Sequence, residues 1–289
     1  MLTVDCRLPA GYMFSWITIT RMYIINNYRF QTFKCESNLH KSNYAVLINA
    51  AGKGIKYAPY ADFSGEYNVL KKLNHKQIPK VYDVGHGDLY KDERFLIKQN
   101  FIVLQHIDGE DILEYFREKD VEKVKVINEV VKMFLTVCDP LIYLHAMKYI
   151  HCDIKPGHLI CNRETGLGHI IDFELAIKHG EVLRGISREY ASPEQFRILD
   201  YLRSQKGDHG EDGLPSSMQL DGRTDLYSIG LLFYETLTKK KWQKGMDLPH
   251  KINKNISQKL EEIIMGLLEE DVSNRISSAE KLEKMLRSI

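Results

Sequence analysis

The pattern of hydrophobic and polar positions changes near residue 110. Before that point, short stretches with the character of β-strands predominate, and turn signals such as residues 52–54 (Gly-Lys-Gly) separate them. One helix interrupts them, because positions from Glu66 to Leu73 recur at helical spacing. The predicted strands cover residues 28–33, 44–51, 54–57, 78–84, 94–98 and 101–107.

After residue 110 the apolar residues recur mostly with the 3.6-residue period of a helix. Helices are predicted over about 120–148, 224–238, 257–269 and 277–287, and a short strand pair at 158–161 and 169–171. The expected fold class is therefore α+β, with two lobes: a small antiparallel β lobe containing one helix, followed by a larger helical lobe.

These patterns divide the chain into an N-terminal extension at 1–27, a small lobe at 28–107 and a large lobe at 108–289. Met13 and Met22 are alternative candidate start positions within the extension. Residues 204–222 are rich in Gly, Asp and Ser, so we expect a mobile insert in the large lobe.

Composition narrows the class of protein. The net charge is +1 from 40 basic and 39 acidic residues, so neither nucleic acid nor a membrane surface is an expected partner. The five cysteines form no CxxC pair, which disfavours a disulfide framework or structural zinc and favours a reducing compartment. No apolar run reaches the ~18–20 residues of a membrane span. We therefore expect a cytoplasmic protein.

Two short segments carry the candidate chemistry. Residues 151–156 (HCDIKP) follow an apolar helix and lead into a strand, and residues 170–174 (IIDFE) lie downstream. The pair resembles the catalytic loop and the metal-binding DFG motif of eukaryotic-like protein kinases. Phosphoryl transfer needs a carboxylate at the attacking hydroxyl, a cation at the γ-phosphate and a second carboxylate on Mg²⁺. Asp153, Lys155 and Asp172 fit these roles in that order.

Further motifs extend the resemblance over about residues 28–287. Lys155, two residues after the Asp, is typical of Ser/Thr kinases. Residues 186–194 look like the end of an activation segment, in which Ser187 would contact the catalytic loop. The resemblance also implies that Asp225 bonds the catalytic-loop backbone and that Arg275 pairs with Glu194.

In the small lobe, the helix with Glu66 resembles the kinase C-helix, whose Glu pairs with a strand lysine. Residues 101–109 resemble the strand and hinge that hold adenine, with Leu104 as gatekeeper. The backbone of Gln105 and Ile107 would then bond the base of ATP.

Two alternatives exist for the strand lysine. In the first, residues 44–51 are the second strand and Lys56 lies on the third, ten residues before Glu66, which is a short connection for the family. In the second, residues 44–47 are the third strand and Leu47 occupies the lysine position, which leaves no phosphate anchor. The first alternative is favoured, since it uses residues 52–54 as a hairpin turn.

Four departures from the family pattern concern nucleotide, metal and regulation. Residues 35–43, where the glycine-rich phosphate loop would lie, contain no glycine. His158 replaces the metal-binding Asn, and imidazole suits Mg²⁺ poorly, so Mn²⁺ is an alternative. Glu174 replaces the DFG glycine and adds a carboxylate to the expected metal site. Cys152 replaces the Arg that receives an activation-loop phosphate, which implies that such phosphorylation is not needed.

The favoured function is a divergent Ser/Thr protein kinase that uses ATP and Mg²⁺ on a protein substrate. A pseudokinase, which would bind or scaffold without turnover, is favoured by the missing glycines and by His158. A small-molecule kinase resembling the aminoglycoside and choline kinases is suggested by Glu174 and disfavoured by residues 187–194 and Asp225.

Overall fold

A computed structural model divides the chain into two compact units, Met1–Glu110 and Asp111–Ile289, whereas the predicted division was after residue 107. Strands dominate the first unit and helices the second, which confirms the predicted α+β class. The structure describes residues 19–25, 28–33, 45–48, 53–58, 62–91, 94–204 and 218–289.

In the described part of the first unit, six strands form one antiparallel sheet with the order β2-β1-β5-β6-β4-β3. The helix α1 (Ser64–Leu70) connects β4 to β5 and packs on β5. The strands are β1 (Ile19–Ile25), β2 (Tyr28–Phe33), β3 (Ala45–Ile48), β4 (Lys53–Ala58), β5 (Val81–Lys91) and β6 (Arg94–Gln105). β1 lies within the stretch predicted to be an N-terminal extension, and it pairs with β2.

One strand prediction was wrong. Residues 94–98 and 101–107 were expected to form separate strands, but β6 runs without a break from Arg94 to Gln105. The polar residues in its middle are paired with a polar stretch of β5, for example Asn100 with His86 and Lys98 with Asp88. Backbone hydrogen bonds hold a ladder together whatever the polarity of the side chains, so a polar interruption did not end the strand.

The described core of the first unit is built on the second half of β6 and on α1. Phe101, Ile102 and Val103 are completely buried, and Val69 and Leu70 of α1 are buried as well. Consecutive buried positions in β6 show that both faces of this strand segment are covered. The helix and this strand segment are therefore well packed among the described residues of the unit.

In the second unit, α3 and α5 form the centre of the helical core. Phe134 of α3 stacks on Phe233 of α5 with 4.0 Å between ring centroids, and both rings are buried. The helices are α2 (Ile112–Tyr115), α3 (Val124–Ala146), α4 (Pro193–Ser204), α5 (Arg223–Thr238), α6 (Pro249–Ile252), α7 (Gln258–Leu267) and α8 (Ala279–Arg287). The helices predicted at 120–148, 224–238, 257–269 and 277–287 are confirmed by α3, α5, α7 and α8. None of the described helices combines the length and apolarity that crossing a bilayer requires.

The helix α4 was not predicted, because few of its side chains are buried. Gln195 and Ile198 are its only buried positions, so no apolar stripe marks it. α4 ends at Ser204, where the predicted insert begins, and residues 205–217 of that insert lie outside the described residues. The end of the insert is packed, since Leu220 is 6% exposed.

Short strands complete the second unit. β7 (Glu110–Asp111) lies at the division between the units. β8 (Tyr149–Ile150) pairs with β11 (Ile177–Lys178), and β9 (Leu159–Cys161) pairs with β10 (Gly168–Ile170). The strand pair predicted at 158–161 and 169–171 is thus confirmed.

A glycine in α5 provides a test of this packing. A Cβ added at Gly230 would lie 2.7 Å from Cβ of Leu267 in α7. Alanine favours a helix over glycine by about 1 kcal/mol, but overpacking of a core costs about 1–3 kcal/mol. We therefore expect Gly230→Ala to lower the free energy of unfolding in urea. Gly266→Ala is the control, because its Cβ would approach only side-chain carbons of Ile276, the nearer at 3.3 Å. A Gly230→Ala protein as stable as Gly266→Ala would contradict this packing.

Candidate active site

Two loops of the second unit lie side by side because the same strand pairs hold their ends. Residues 151–158 connect β8 to β9, and residues 171–176 connect β10 to β11. The pairing places Leu159 opposite Ile170 and Ile150 opposite Ile177. The two predicted motifs are therefore neighbours in space, as phosphoryl-transfer chemistry requires.

His151 links the two loops. Its Nε2 lies 3.0 Å from the carbonyl oxygen of Ile171, and its Nδ1 accepts a hydrogen bond from the backbone N–H of Asp153 at 3.3 Å. The carbonyl can only accept, so Nε2 carries the ring hydrogen. The imidazole also packs edge-on against Phe173, with 4.9 Å between centroids. This fully buried side chain therefore fixes one loop against the other.

Asp225, at the start of α5, holds the backbone of the first loop. Its carboxylate accepts from the N–H groups of His151 and Cys152, both at 2.9 Å, as the resemblance implied. His145 of α3 also binds it through Nε2 at 2.9 Å. Burial opposes ionisation of Asp225, but the bond from His145 and the surrounding positive charge outweigh it, so its pKa lies below the ordinary value. Cys152 is held in the left-handed region at φ 63°, a strained conformation that these bonds stabilise.

Asp153 and Lys155 form the centre of the candidate site. The Lys155 ammonium donates to Oδ2 of Asp153 at 2.9 Å and to the hydroxyl oxygen of Ser187 at 3.0 Å, which confirms the predicted contact of Ser187 with this loop. Oδ1 of Asp153 is buried and accepts no hydrogen bond from the described residues. Asp153 is 7% exposed. Oδ2 of Asp153 thus accepts from the Lys155 ammonium, whereas Oδ1 is a buried acceptor without a donor among the described residues.

His158 lies between the two aspartates. Its Nδ1 is 2.8 Å from the carbonyl oxygen of Asp153, and its Nε2 is 3.4 Å from Oδ2 of Asp172. Burial lowers the pKa of His158 to about 4, although the negative charges of Asp172 and Asp153 act to raise it. The imidazole is therefore neutral near pH 7.

The side chains around Asp172 supply some, but not all, of the ligands that a divalent cation needs. Asp172 is 8% exposed and adopts φ 65°, and the backbone N–H of Glu174 donates to its Oδ1 at 3.5 Å. The side chain of Glu174 is exposed. Among the described residues, no three His, Cys, Asp or Glu side chains are grouped to hold a metal ion. A metal bound at Asp172 would therefore need further ligands from water or from a substrate.

The predicted end of the activation segment is anchored to the helical core. Arg275 forms two parallel hydrogen bonds to the carboxylate of Glu194, at 2.7 and 3.0 Å, which confirms the predicted pair. Tyr190 donates to Glu235 of α5 at 2.8 Å, and Ser228 donates to the carbonyl of Tyr190 at 2.7 Å. These bonds fix the segment that contains Ser187.

Sequence reasoning missed two supports of the catalytic loop. Gln195 of α4 donates to the carbonyl of Cys152 at 2.8 Å, and His145 binds Asp225. Neither residue has a local pattern that distinguishes it from a surface residue. The side chain of Cys152 also packs in an apolar cluster that includes Leu183, Ile198 and Leu220. An apolar contact thus occupies the position at which the family pattern has an arginine.

In the first unit, Lys56 and Glu66 form a buried ion pair. The Lys56 ammonium lies 3.0 and 3.2 Å from the two carboxylate oxygens of Glu66. Lys56 is on β4, which the structure places next to β6, and Glu66 is in the first turn of α1. Both residues are buried, at 8% and 2% exposure. The short connection between them therefore does not prevent the contact.

The predicted hinge begins at the end of β6. Gln105 is its last residue, and the backbone N–H of Gln105 donates to the carbonyl of Lys80 at 2.7 Å. Gln105 and Ile107 are half-buried, and Leu104 is buried. Residues 35–43, the position of the predicted phosphate loop, lie outside the described residues.

Comparison with known proteins agrees with this arrangement. A probable serine/threonine-protein kinase of Clostridium perfringens is 27% identical over 241 residues, covering 76% of this chain and 30% of the relative. Myosin light chain kinase family member 4 of Homo sapiens is 23% identical over 296 residues, covering 94% of this chain and 67% of the relative. A probable serine/threonine-protein kinase of Streptomyces coelicolor is 29% identical over 187 residues, covering 62% of this chain and 24% of the relative.

The chain thus spans less than a third of the length of these two bacterial relatives. The protein kinase domain family matches residues 31–287, which is most of the chain. The chain therefore belongs to the protein kinase family.

Proposed function

We propose that the chain is a serine/threonine protein kinase that transfers the γ-phosphate of ATP to a hydroxyl group of a protein substrate. The observation that carries this proposal is the carboxylate of Asp153, with Oδ2 bound to Lys155 and Oδ1 buried without a donor among the described residues. A buried acceptor left unpaired costs about 1–3 kcal/mol. A substrate hydroxyl supplies the missing donor and is at the same time oriented for attack.

The roles of the other residues follow from their chemistry. Asp153 accepts the hydroxyl proton as general base, and Lys155 places a positive charge beside it, where the γ-phosphate oxygens would develop negative charge. Ser187 holds the Lys155 ammonium in position. Asp172 would hold the divalent cation, with Glu174 and His158 as its neighbours, and a cation bound there would neutralise phosphate charge. The carboxylate of Asp172 is the hard oxygen ligand that Mg²⁺ and Mn²⁺ accept.

ATP binding is assigned to residues of the first unit. The buried contact between Lys56 and Glu66 supports the alternative in which Lys56, and not Leu47, is the lysine that binds the ATP phosphates. An ion pair of this kind holds the ammonium in one geometry. The backbone groups of Gln105 and Ile107 remain the proposed contacts to adenine.

The activation segment is proposed to need no phosphate. Instead of a phosphate contact, the apolar cluster around Cys152 holds Leu183 of the segment against Ile198 of α4. Burial also raises the pKa of the Cys152 thiol well above its ordinary value, so the side chain stays neutral and apolar.

A pseudokinase is the second candidate, because residues 35–43 contain no glycine to approach the phosphates of ATP. A pseudokinase would bind the nucleotide without transferring phosphate, or would not bind the nucleotide at all. A small-molecule kinase is less favoured, since Lys155 contacts Ser187 and Glu194 pairs with Arg275, as expected for a protein kinase activation segment.

Replacing Lys56 tests the proposed nucleotide site. We expect Lys56→Met to reduce phosphate transfer from γ-labelled ATP by about 100-fold or more, since a charged contact to the phosphates is lost. Glu66→Gln keeps the shape of the partner and removes its charge, so it should give a smaller loss. Lys72→Met, on an exposed side chain, is the control. Transfer by Lys56→Met at the rate of the unmodified protein would show that another group binds the phosphates.

A further inference from the structure

The peptide group between Cys152 and Asp153 is held at both of its polar atoms. Its carbonyl oxygen accepts a hydrogen bond from Nε2 of Gln195 at 2.8 Å. Its N–H donates to Nδ1 of His151 at 3.3 Å. Because this planar group leads directly into Asp153, its orientation determines the direction in which the side chain of the proposed base leaves the main chain. The bond from Gln195 therefore acts on the position of the Asp153 carboxylate.

The backbone of Cys152 needs this support. Its φ angle is 63°, in the left-handed region that residues other than glycine seldom adopt. Such a conformation is strained and persists only where the surrounding structure holds it. The bond from Gln195 to the Cys152 carbonyl is buried, and a buried carbonyl left without a donor is unfavourable. Loss of the Gln195 amide would therefore favour rotation of this peptide group, and Asp153 would move with it.

The side-chain amide of Gln195 has a defined orientation. Its Oε1 accepts from the backbone N–H of Ser192 at 2.9 Å, whereas its Nε2 faces the carbonyl of Cys152. An N–H group only donates and a carbonyl only accepts, so the two partners determine which end of the amide each one meets. The backbone N–H of Gln195 also donates to the carbonyl of Ser192 at 3.1 Å. Gln195 and Ser192 are completely buried, so bulk water does not compete for these bonds.

These bonds join two parts of the candidate site that are distant in sequence. Ser192 belongs to residues 186–194, which also contain Ser187, the partner of the Lys155 ammonium. One amide thus supplies a donor to the backbone before the proposed base and an acceptor to the end of the activation segment. A displacement of either part would be transmitted to the other through Gln195.

We propose that Gln195 is a positioning residue, which sets the direction of the Asp153 carboxylate and couples it to the end of the activation segment. This inference rests on the proposed kinase function, in which Asp153 is the base. Gln195 is completely buried and acts through the peptide group before Asp153. The rate of phosphate transfer should therefore depend on Gln195, whereas the affinity for ATP should not.

Steady-state kinetics of the full chain with ATP and a protein acceptor test this role. Gln195→Leu removes both side-chain bonds. We expect it to lower kcat by about 10- to 100-fold, since a small displacement of a catalytic group has effects of this size. The affinity for ATP, determined separately, should stay unchanged. Gln258→Leu is the control, because Gln258 is exposed and donates to Glu262 on the surface of α7.

The variant Gln195→Glu distinguishes positioning from a general loss of packing. Burial raises the pKa of the introduced carboxyl group, which keeps it protonated at the lower end of the assay range. A protonated carboxyl group can donate to the carbonyl of Cys152, whereas the carboxylate formed at higher pH cannot. We therefore expect kcat of this variant, relative to the unmodified protein at the same pH, to fall as the pH rises from about 6 to about 9.

Thr236→Val measures the effect of losing a buried hydrogen bond that has no role in positioning. Thr236 is completely buried and donates to the carbonyl of Leu232 within α5 at 2.7 Å. This variant should be less stable in urea and keep its kcat. If Gln195→Leu does not fold, the pH profile of Gln195→Glu decides the question.

The possible failures of the inference and of the proposed function are distinct. Folded variants of Gln195 that keep the kcat and the pH profile of the unmodified protein would show that Gln195 does not position the base, and the kinase function would stand. An unmodified protein that transfers no phosphate would overturn the proposed function and this inference together.

Discussion

Asp153→Asn is expected to lower kcat for phosphate transfer by about 10²–10⁴-fold, the usual contribution of a general base. The amide has the shape of the carboxylate, so its oxygen can keep the bond from Lys155 that Oδ2 now accepts. The NH₂ group then replaces the buried oxygen Oδ1, which has no donor among the described residues. An NH₂ group can only donate, so it cannot take the proton of the substrate hydroxyl.

The measurement is steady-state transfer from ATP to a protein acceptor, with nucleotide affinity determined separately. Affinity for ATP should change little, because Asp153 acts on the attacking hydroxyl and not on the nucleotide. Asp200→Asn is the matched control, since its side chain is 75% exposed and lies outside the candidate site. If Asp153→Asn kept kcat within a few-fold of the unmodified protein, Asp153 would not be the base.

Arg275→Met is expected to destabilise the second unit by about 3–5 kcal/mol, the usual effect of leaving one member of a buried ion pair without its partner. The Arg275 side chain is completely buried, and it binds Glu194 through two hydrogen bonds. Arg275 also donates to the backbone carbonyls of Glu269 and Arg223. Burial raises the pKa of Glu194, but its bonds to Arg275 outweigh this and lower it, so the variant would strand a buried charge.

Urea denaturation of the full chain, followed by a probe in the second unit, measures this effect. Arg287→Met breaks an exposed pair with Glu283 and should cost less than about 1 kcal/mol. The double variant Arg275→Met with Glu194→Met should recover part of the loss, because it leaves no orphaned carboxylate. An Arg275→Met protein as stable as Arg287→Met would show that the pair contributes little.

Local patterns predicted the elements whose burial is periodic. The helices α3 and α5 have many buried apolar positions, so their sequences show the helical period clearly. The helix α4 has only two buried positions, and β6 has a polar middle, so neither gave a clear pattern. Periodicity reports burial within one element, and it carries no signal where an element is held by backbone or polar contacts.

Contacts between distant residues were predictable only through motifs. The pairs Arg275 with Glu194 and Asp225 with the catalytic loop were expected because whole motifs resembled those of kinases. The bond from His145 to Asp225 belongs to no motif, and no pattern in the sequence indicates it. The contact of His158 with the backbone carbonyl oxygen of Asp153 also belongs to no motif, since only the folded loop defines the position of that carbonyl.

Identification of the phosphorylated product tests the proposed function most directly. The purified chain is incubated with γ-labelled ATP and a protein acceptor, with Mg²⁺ or Mn²⁺, and the labelled acceptor is hydrolysed to its amino acids. The unmodified protein should yield phosphoserine or phosphothreonine, and Asp172→Ala, which lacks the proposed metal ligand, should yield neither. Nucleotide binding without labelled amino acids under either metal, or label found only on small-molecule alcohols, would contradict the assignment of this chain as a serine/threonine protein kinase.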